Sequence, residues 1–532
     1  MIWLLRDIDL LSTLLRAANL SFEALLLGGI IFLWAVARPA GAAQAVESFC
    51  FRGIRWAALA LAVSELVSVL LSTASLLGDT DLHFLDVIST RFFVAGMCAG
   101  LVAVVLWICA RVKTNKAVAA MIPLSFLLLI ATVATSHAEA RMDHRFSLAL
   151  ATVAHHLGTA AWIGAMPFLL VSLGRSESVQ QARSMIRRYS SMAILSVAVL
   201  ALAGIYMAWF YVGTWNGLYG TSYGVLLMAK VYLLLVMLTM GAANWMLARR
   251  LNTDPQPLLA RLRRFAEVEV GLGFTAILAA ASMSAQPPAI DVPDQVSLPV
   301  IVARMHPEVP RLKSPTASQL TPPSSIETAV RATEFQANGG SDATDREWSE
   351  YNHHWAGLIV LAAGLLAFAS RLARLRWARF WPLTFAGLSV FILLRADPEN
   401  WPLGPRPFWA SFSAPDVLQH RAAALLILCF AAFECAVQAG KLRVRWATLI
   451  FPAMCALGAA VLLTHNHAPS NDAEDLLASL SHTPIALLGA TAGWIRWLEL
   501  RLPPGRASRI AGRVWPLLLA AVGLILINYR ET

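Results

Sequence analysis

The sequence predicts an all-α, polytopic transmembrane helical bundle of about 14 helices, arranged as eight plus six. Three observations predict it. Of 532 residues, 58% are hydrophobic and 14% charged. Soluble domains average roughly 45–50% and 25%, so this chain has too little polar surface to cover a water-soluble globule. Apolar runs of the length that spans a bilayer, about 20 residues, recur along the chain. The basic residues lie in alternate loops between those runs, so the net charge of +10 marks membrane orientation and not nucleic-acid binding.

In order, the expected spans are 10–36, 56–77, 90–110, 117–135, 147–173, 189–211, 223–247, 266–285, 354–370, 377–394, 418–438, 446–464, 483–498 and 514–529. The start, Met1 to Asp7, lacks the basic n-region and small-residue cleavage site of a secretory signal, so the first span is expected to be retained. Loops at 37–55, 111–116, 174–188, 248–265, 371–379, 440–445 and 496–513 hold 27 Lys and Arg against four acids; the opposite side holds 13 basic and 23 acidic residues. The basic side is expected in the cytoplasm, which makes both termini periplasmic. Residues 286–350 carry nine prolines and nine acids and cannot bury much apolar surface. The expected organisation is therefore an eight-helix membrane domain at 1–285, a Pro-rich periplasmic linker at 286–350 and a six-helix membrane domain at 351–532.

Histidine is the informative residue. All twelve fall on the outer side or the outer part of a span. His83, His144 and His306 sit where long polar loops would place ordinary histidines. His155, His156 and His420 lie inside apolar runs, and His137, His354, His465, His467 and His482 at span ends. Polar groups at membrane depth are costly and usually functional. Imidazole is the commonest protein ligand for transition metals. These eight are the candidate metal ligands, with their acidic loops as collectors. Adjacent His155 and His156 point about 100° apart, so one of them faces any given site; His155 lies about 12 Å into the membrane from Ser147.

Two helical hairpins look alike. Ser-His-Ala at 136–138 precedes His155 and Trp162, while Thr-His-Asn-His at 464–467 precedes His482 and Trp494; the histidine separations are 18 and 17 residues. This is the pattern of a diverged internal repeat, and it suggests one metal site shared by both halves. Among polar residues within spans, Lys230 needs a partner, and Glu23 or Glu65 is the natural one. Asn244 is expected to hydrogen-bond between helices. The six cysteines lie in or beside spans and read as small apolar packing residues. No Cys-x-x-Cys, phosphate loop or nucleophile elbow is present, which argues against hydrolytic chemistry and an ATP-driven pump.

At these residues the sequence resembles the bacterial copper resistance CopD (PcoD) inner-membrane proteins. The stretch Thr221-Ser-Tyr-Gly-Val-Leu-Leu-Met-Ala-Lys230 with downstream Asn244 is similar to that family's Thr-x-Tyr-Gly-x-x-Leu-x-x-Lys helix. His155 through Trp162-Ile-Gly164 is similar to its His…Trp-x-Gly helix, and Ser136-His-Ala to its Gly-His-Ala. The resemblance covers roughly 120–285, and the tail, with Arg-Trp-Leu-Glu-Leu-Arg at 496–501, looks like the long members. The family's Asn-Arg is Asn244-Trp245 here, and the His155-His156 doublet stands where the family has one histidine.

The resemblance implies a multi-pass protein of the bacterial inner membrane that handles copper, usually described as uptake from periplasm to cytoplasm. It implies the copper ion as cargo and a periplasmic copper-binding protein of the CopC type as partner, beside the lipid bilayer. Sidedness alone would say transition metal or haem. Two alternatives follow from the residues: a haem-b-type membrane redox protein ligated through helices bearing His155, His420 and His482, or a copper chaperone or assembly factor that does not transport.

Overall fold

The structure, a computed structural model, describes residues 8–79, 83–136, 141, 143–249, 255–315, 343–372, 375–397, 400–411, 415–442, 444, 446–464 and 473–530. Fourteen helices of 13 residues or more carry this part of the chain: α1 Ile8–Ile31, α2 Gln44–Asp79, α3 Arg91–Val112, α4 Asn115–Val133, α5 Arg145–Thr159, α6 Val179–Val212, α7 Ser222–Arg249, α8 Pro255–Ser284, α9 Ala343–Ala369, α10 Leu383–Arg395, α11 Pro415–Gln438, α12 Ile450–Leu462, α13 Ala473–Arg501 and α14 Arg506–Ile527. Among the described residues there is no β-strand, only an isolated bridge between Asn400 and Arg406.

Among the described residues twelve helices are long and apolar enough to cross a membrane, against the fourteen expected. The other two expected spans are helical but weaker. Ala447–Leu462 is apolar but short. In α13, His482, Pro484, Arg496 and Glu499 break up the apolar stretch. Two helices run past the bilayer. α2 has 36 residues and α6 has 34, about 50 Å each at ~1.5 Å per residue. Each begins in a basic loop well before its expected apolar run. Hydroxyl caps fix several starts: Thr90, Thr114 and Ser178 accept the backbone N–H of Phe93, Ala117 and Gln181, satisfying donors that a helix terminus leaves unpaired.

The chain falls into two compact units, Met1–Val296 with Leu463–Asn471, and Ser297–Leu462 with Asp472–Thr532. The first unit continues past α8 because the residues after it pack onto the bundle. Ala289 is fully buried with Leu148, Tyr211 and Tyr223, Asp291 pairs with Arg141 at 2.7 Å, and Gln295 accepts from Asn216 at 3.1 Å.

Helix contacts inside a bilayer rely on small residues that let backbones approach. In the first unit, α5 passes into a π-helical turn at Ala160–Gly164. A Cβ on Gly164 would lie 1.8 Å from the carbonyl oxygen of Ala24, so this turn meets α1 backbone to backbone. In the second unit, α9 and α14 meet the same way: a Cβ on Gly523 would lie 2.4 Å from the amide of Leu361. An aromatic core of Trp381, Phe385, Phe430, Phe451 and Trp515 fills the second unit. Beside it, Glu499 accepts from Trp515 at 2.8 Å and from Arg371 at 3.0 Å, and pairs with Arg496. Thus the Arg-Trp-Leu-Glu-Leu-Arg segment holds α13 to α14.

Candidate functional site

In the first unit a line of polar groups runs through the apolar bundle. At one end of it is a cavity of about 110 Å³ between α1, α2, α3 and α4, whose polar walls include Arg16, Asn19, Glu65, Ser68 and Thr132. Asn19 donates to Ser68 at 3.1 Å, while its carboxamide oxygen is buried without a partner. At the cavity wall the Thr132 hydroxyl lies 3.4 Å from Oε1 of Glu23. The same carboxylate oxygen is 3.0 Å from Nδ1 of His156.

Glu23 is 3% exposed. A carboxylate oxygen accepts, so Nδ1 of His156 carries the hydrogen and Nε2 is left with the lone pair. That is the carboxylate–histidine arrangement that orients and strengthens metal-ligating imidazoles. The doublet is thereby divided. His156 turns to α1. His155 turns to α6, where a Cβ on Gly204 would lie 3.7 Å from its Cε1. The Nδ1 of His155 is buried with no hydrogen-bond partner.

The ion pair expected between Lys230 and Glu23 or Glu65 is not made. Among the described residues Lys230 forms no ion pair; it lies on α7 within electrostatic reach of His155. The reason is geometric. The carboxylate of Glu23 is held by His156 on α5, and Glu65 faces the cavity with Arg16 as its nearest cationic influence.

A second buried carboxylate escaped the candidate list. Glu269 on α8 accepts from Nε1 of Trp162 at 2.9 Å and from Nδ2 of Asn244 at 3.0 Å. The Tyr189 hydroxyl donates to the Trp162 carbonyl at 2.7 Å. The Trp162 and Asn244 singled out in the sequence therefore converge on one acid, across α5, α7 and α8. The signal was available: an acid within a span is a functional pointer in itself. Trp245, at the departure from the family's Asn-Arg, is 46% exposed.

The second unit has its own histidine cluster. His354 is 2% exposed. Its Nδ1 accepts the Arg311 amide at 2.7 Å, and its Nε2 donates to the Tyr529 carbonyl at 2.9 Å. Both ring nitrogens are thus engaged, which leaves no lone pair for a metal and corrects its assignment as a ligand. His353, one residue earlier, stacks on Tyr529 with ring centroids 3.8 Å apart. His482 approaches both rings, at 6.0 Å from His353 and 5.6 Å from Tyr529. His420 is exposed, with Nδ1 2.8 Å from the Asp397 carboxylate. His306 engages the Ala303 carbonyl and Glu308 locally. His137, His465 and His467 lie outside the described residues. Among the described residues no three His, Cys, Asp or Glu side chains gather into a metal-binding group.

The fold and this seam define a class: a multi-pass helical membrane protein with paired histidine and carboxylate groups buried in its spans. Residues 183–283 match the family model for Copper resistance protein D. The CopD resemblance read from the sequence therefore holds over that segment, which comprises most of α6, all of α7 and all but the last residue of α8. A copper transport protein of Bacillus subtilis (strain 168), CutJ, is 26% identical over 165 residues. The alignment takes in 30% of this chain and 29% of CutJ, so it spans less than a third of that relative. No solved structure matches. The matched segment contributes Gly204 and Lys230 beside His155, and Asn244 and Glu269 beside Trp162.

Proposed function

We propose that the protein is a transporter of the bacterial inner membrane that carries copper from periplasm to cytoplasm, with the basic loops inside and both termini outside. One observation carries this reading: adjacent on one helix, His156 is oriented by the buried Glu23 carboxylate, which Thr132 links to the wall of a polar cavity, and His155, turned to α6, has a buried nitrogen without a hydrogen-bond partner. A buried imidazole nitrogen without a partner forfeits a hydrogen bond. A metal ion would satisfy it. Imidazole binds copper in its neutral form, the form the Glu23 contact orients.

In this reading the cavity admits the ion from the outer side. Nε2 of His156 is the ligand atom on the α1 side and Nδ1 of His155 one on the α6 side, where Lys230 limits how much positive charge is retained. The eight-helix domain, 1–285, holds this route. The linker 286–350 and the domain 351–532, with His420, His465, His467 and His482 toward its outer end, collect the ion. A CopC-type periplasmic protein would supply it.

The test is Cu(I) uptake into proteoliposomes of the full chain, with copper binding measured by competition. Both His155→Ala and Glu23→Gln should lower affinity and uptake, about 10- to 100-fold for loss of an orienting carboxylate. Wild-type uptake in both variants would end this assignment.

A further inference from the structure

We propose that Glu269 is a proton-binding site of the first unit, and that its proton and the metal at the histidines displace one another. The identity of the metal rests on the copper reading above; the carboxyl group and its hydrogen-bond partners do not.

Glu269 is 4% exposed. Among the described residues its partners are two uncharged donors, Trp162 and Asn244. Acids within spans mark ion pathways and proton relays, and these two partners differ in what they can do. An indole N–H only donates. The Trp162 bond to Oε1 is therefore the same whether or not the acid carries a proton. A carboxamide has a donating end and an accepting end. Asn244 turns Nδ2 to Oε2, and its own Oδ1 is buried with no hydrogen-bond partner. Half a turn of the amide brings Oδ1 to Oε2, where it accepts the O–H of the protonated acid. Each orientation leaves one end of the amide without a partner, so the proton on Oε2 decides between them.

The surroundings leave this exchange to Glu269 and Asn244. On α6 the Tyr189 hydroxyl is the titratable neighbour, and it is spent on the Trp162 carbonyl. α1 brings Glu23, held by His156, and Arg16, which lines the cavity. On α7, Gly241 stands beside Oε1, and Lys230 is fourteen residues from Asn244, about 21 Å along the helix. Residues 166–172, after the π-helical turn, carry no titratable group. On α8 itself Glu267 pairs with Arg264. Asn244 stands three residues from the end of its span at Leu247, about 5 Å, so a proton reaches Oε2 from that end.

Two links tie this acid to the histidines. His155 and Trp162 share one helical stretch, seven residues and about 10 Å apart. The turn that carries Trp162 also meets the carbonyl of Ala24 at Gly164, next to the Glu23 that orients His156. A positive ion at the histidines favours the ionised form of Glu269. By reciprocity, a proton on Glu269 weakens the hold on the ion by the same factor. Metal binding thus expels the proton, and a proton arriving past Asn244 releases the metal.

The experiment is anaerobic Cu(I) titration of the full-length protein in weak buffer with a pH-sensitive dye, joined to infrared difference spectra with and without Cu(I). Wild type should release up to one proton more per Cu(I) than Glu269→Gln. Its protonated-carboxyl stretch should fade as Cu(I) binds, and Glu269→Gln should lack that change. Glutamine keeps an acceptor for Trp162 and a donor for the Oδ1 of Asn244, so this variant should retain the native melting temperature while binding Cu(I) more weakly at alkaline pH. Should it unfold, Glu269→Asp keeps a titratable carboxyl and should release protons as wild type does. Equal proton release by wild type and Glu269→Gln, with Cu(I) bound by both, would overturn this proposal alone. Wild-type protein that binds no Cu(I) would overturn the functional reading. The site then stands or falls on the infrared band, which must come and go with pH in wild type and be missing from Glu269→Gln.

Discussion

Lys230 shows how one residue's surroundings change its expected role. A buried ammonium normally survives by pairing, yet among the described residues this one has no carboxylate within ion-pair distance. It lies within electrostatic reach of His155 instead. Removing it should relieve burial cost, not break a bond. Lys230→Met is therefore expected to keep or raise the melting temperature in detergent and to tighten Cu(I) binding several-fold, since a positive neighbour at His155 is gone. A marked loss of stability would mean that the ammonium holds a partner after all. His354 makes the converse point. Its position at a span end suited a ligand, but the Arg311 amide and the Tyr529 carbonyl consume both ring nitrogens. Neighbouring His353 instead engages the Ser349 carbonyl through Nδ1 and stacks on the Tyr529 ring. Nothing in the order of two adjacent histidines distinguishes them; only the partners do.

At the scale of elements, the π-helical turn Ala160–Gly164 does the positioning. Such turns are rare and are frequent at functional sites. This one widens the helix where Trp162 reaches Glu269 and where Gly164 touches α1. Gly164→Ala would drive a methyl into the Ala24 carbonyl. The cost should be about 1–3 kcal/mol, as for overpacking generally. Because Ala24 follows Glu23, Cu(I) affinity should fall with stability. Gly78→Ala is the control: it lies in α2 with nothing within 4 Å of the added Cβ, and alanine is the better helix residue by roughly 0.5–1 kcal/mol. Thermal unfolding in detergent with parallel Cu(I) titration checks both; equal behaviour of the two variants would remove the turn from this role. The helices themselves were legible, from apolar runs of bilayer-spanning length. The π turn was not, because Ala-Ala-Trp-Ile-Gly reads as ordinary helix until α1 is placed against it.

For the whole molecule, the alternation of basic loops predicts a topology. Val309, 90% exposed after α8, should lie outside, and Lys116, exposed in the loop-side turn of α4, inside. A cysteine at Val309 should react with an impermeant thiol reagent in intact spheroplasts, above the background of the native cysteines, and one at Lys116 only after lysis. The reversed pattern would invert the orientation and turn every histidine inward. The positions of the spans, the helical class and the charge asymmetry were determined by the amino-acid sequence alone. The physical reason is that crossing a bilayer is a local demand: about 20 apolar residues whose backbone groups are satisfied within the same segment. The CopD resemblance was also carried by short local motifs, at Thr221–Lys230 and Trp162–Gly164. What meets what was decided only in three dimensions. Glu23 and His156 are 133 residues apart, and His354 and Tyr529 are 175. Such contacts depend on the rotation and register of each helix against its neighbours. Those are set by close backbone approaches, Gly164 on Ala24 and Gly523 on Leu361, that leave no periodic trace in the sequence.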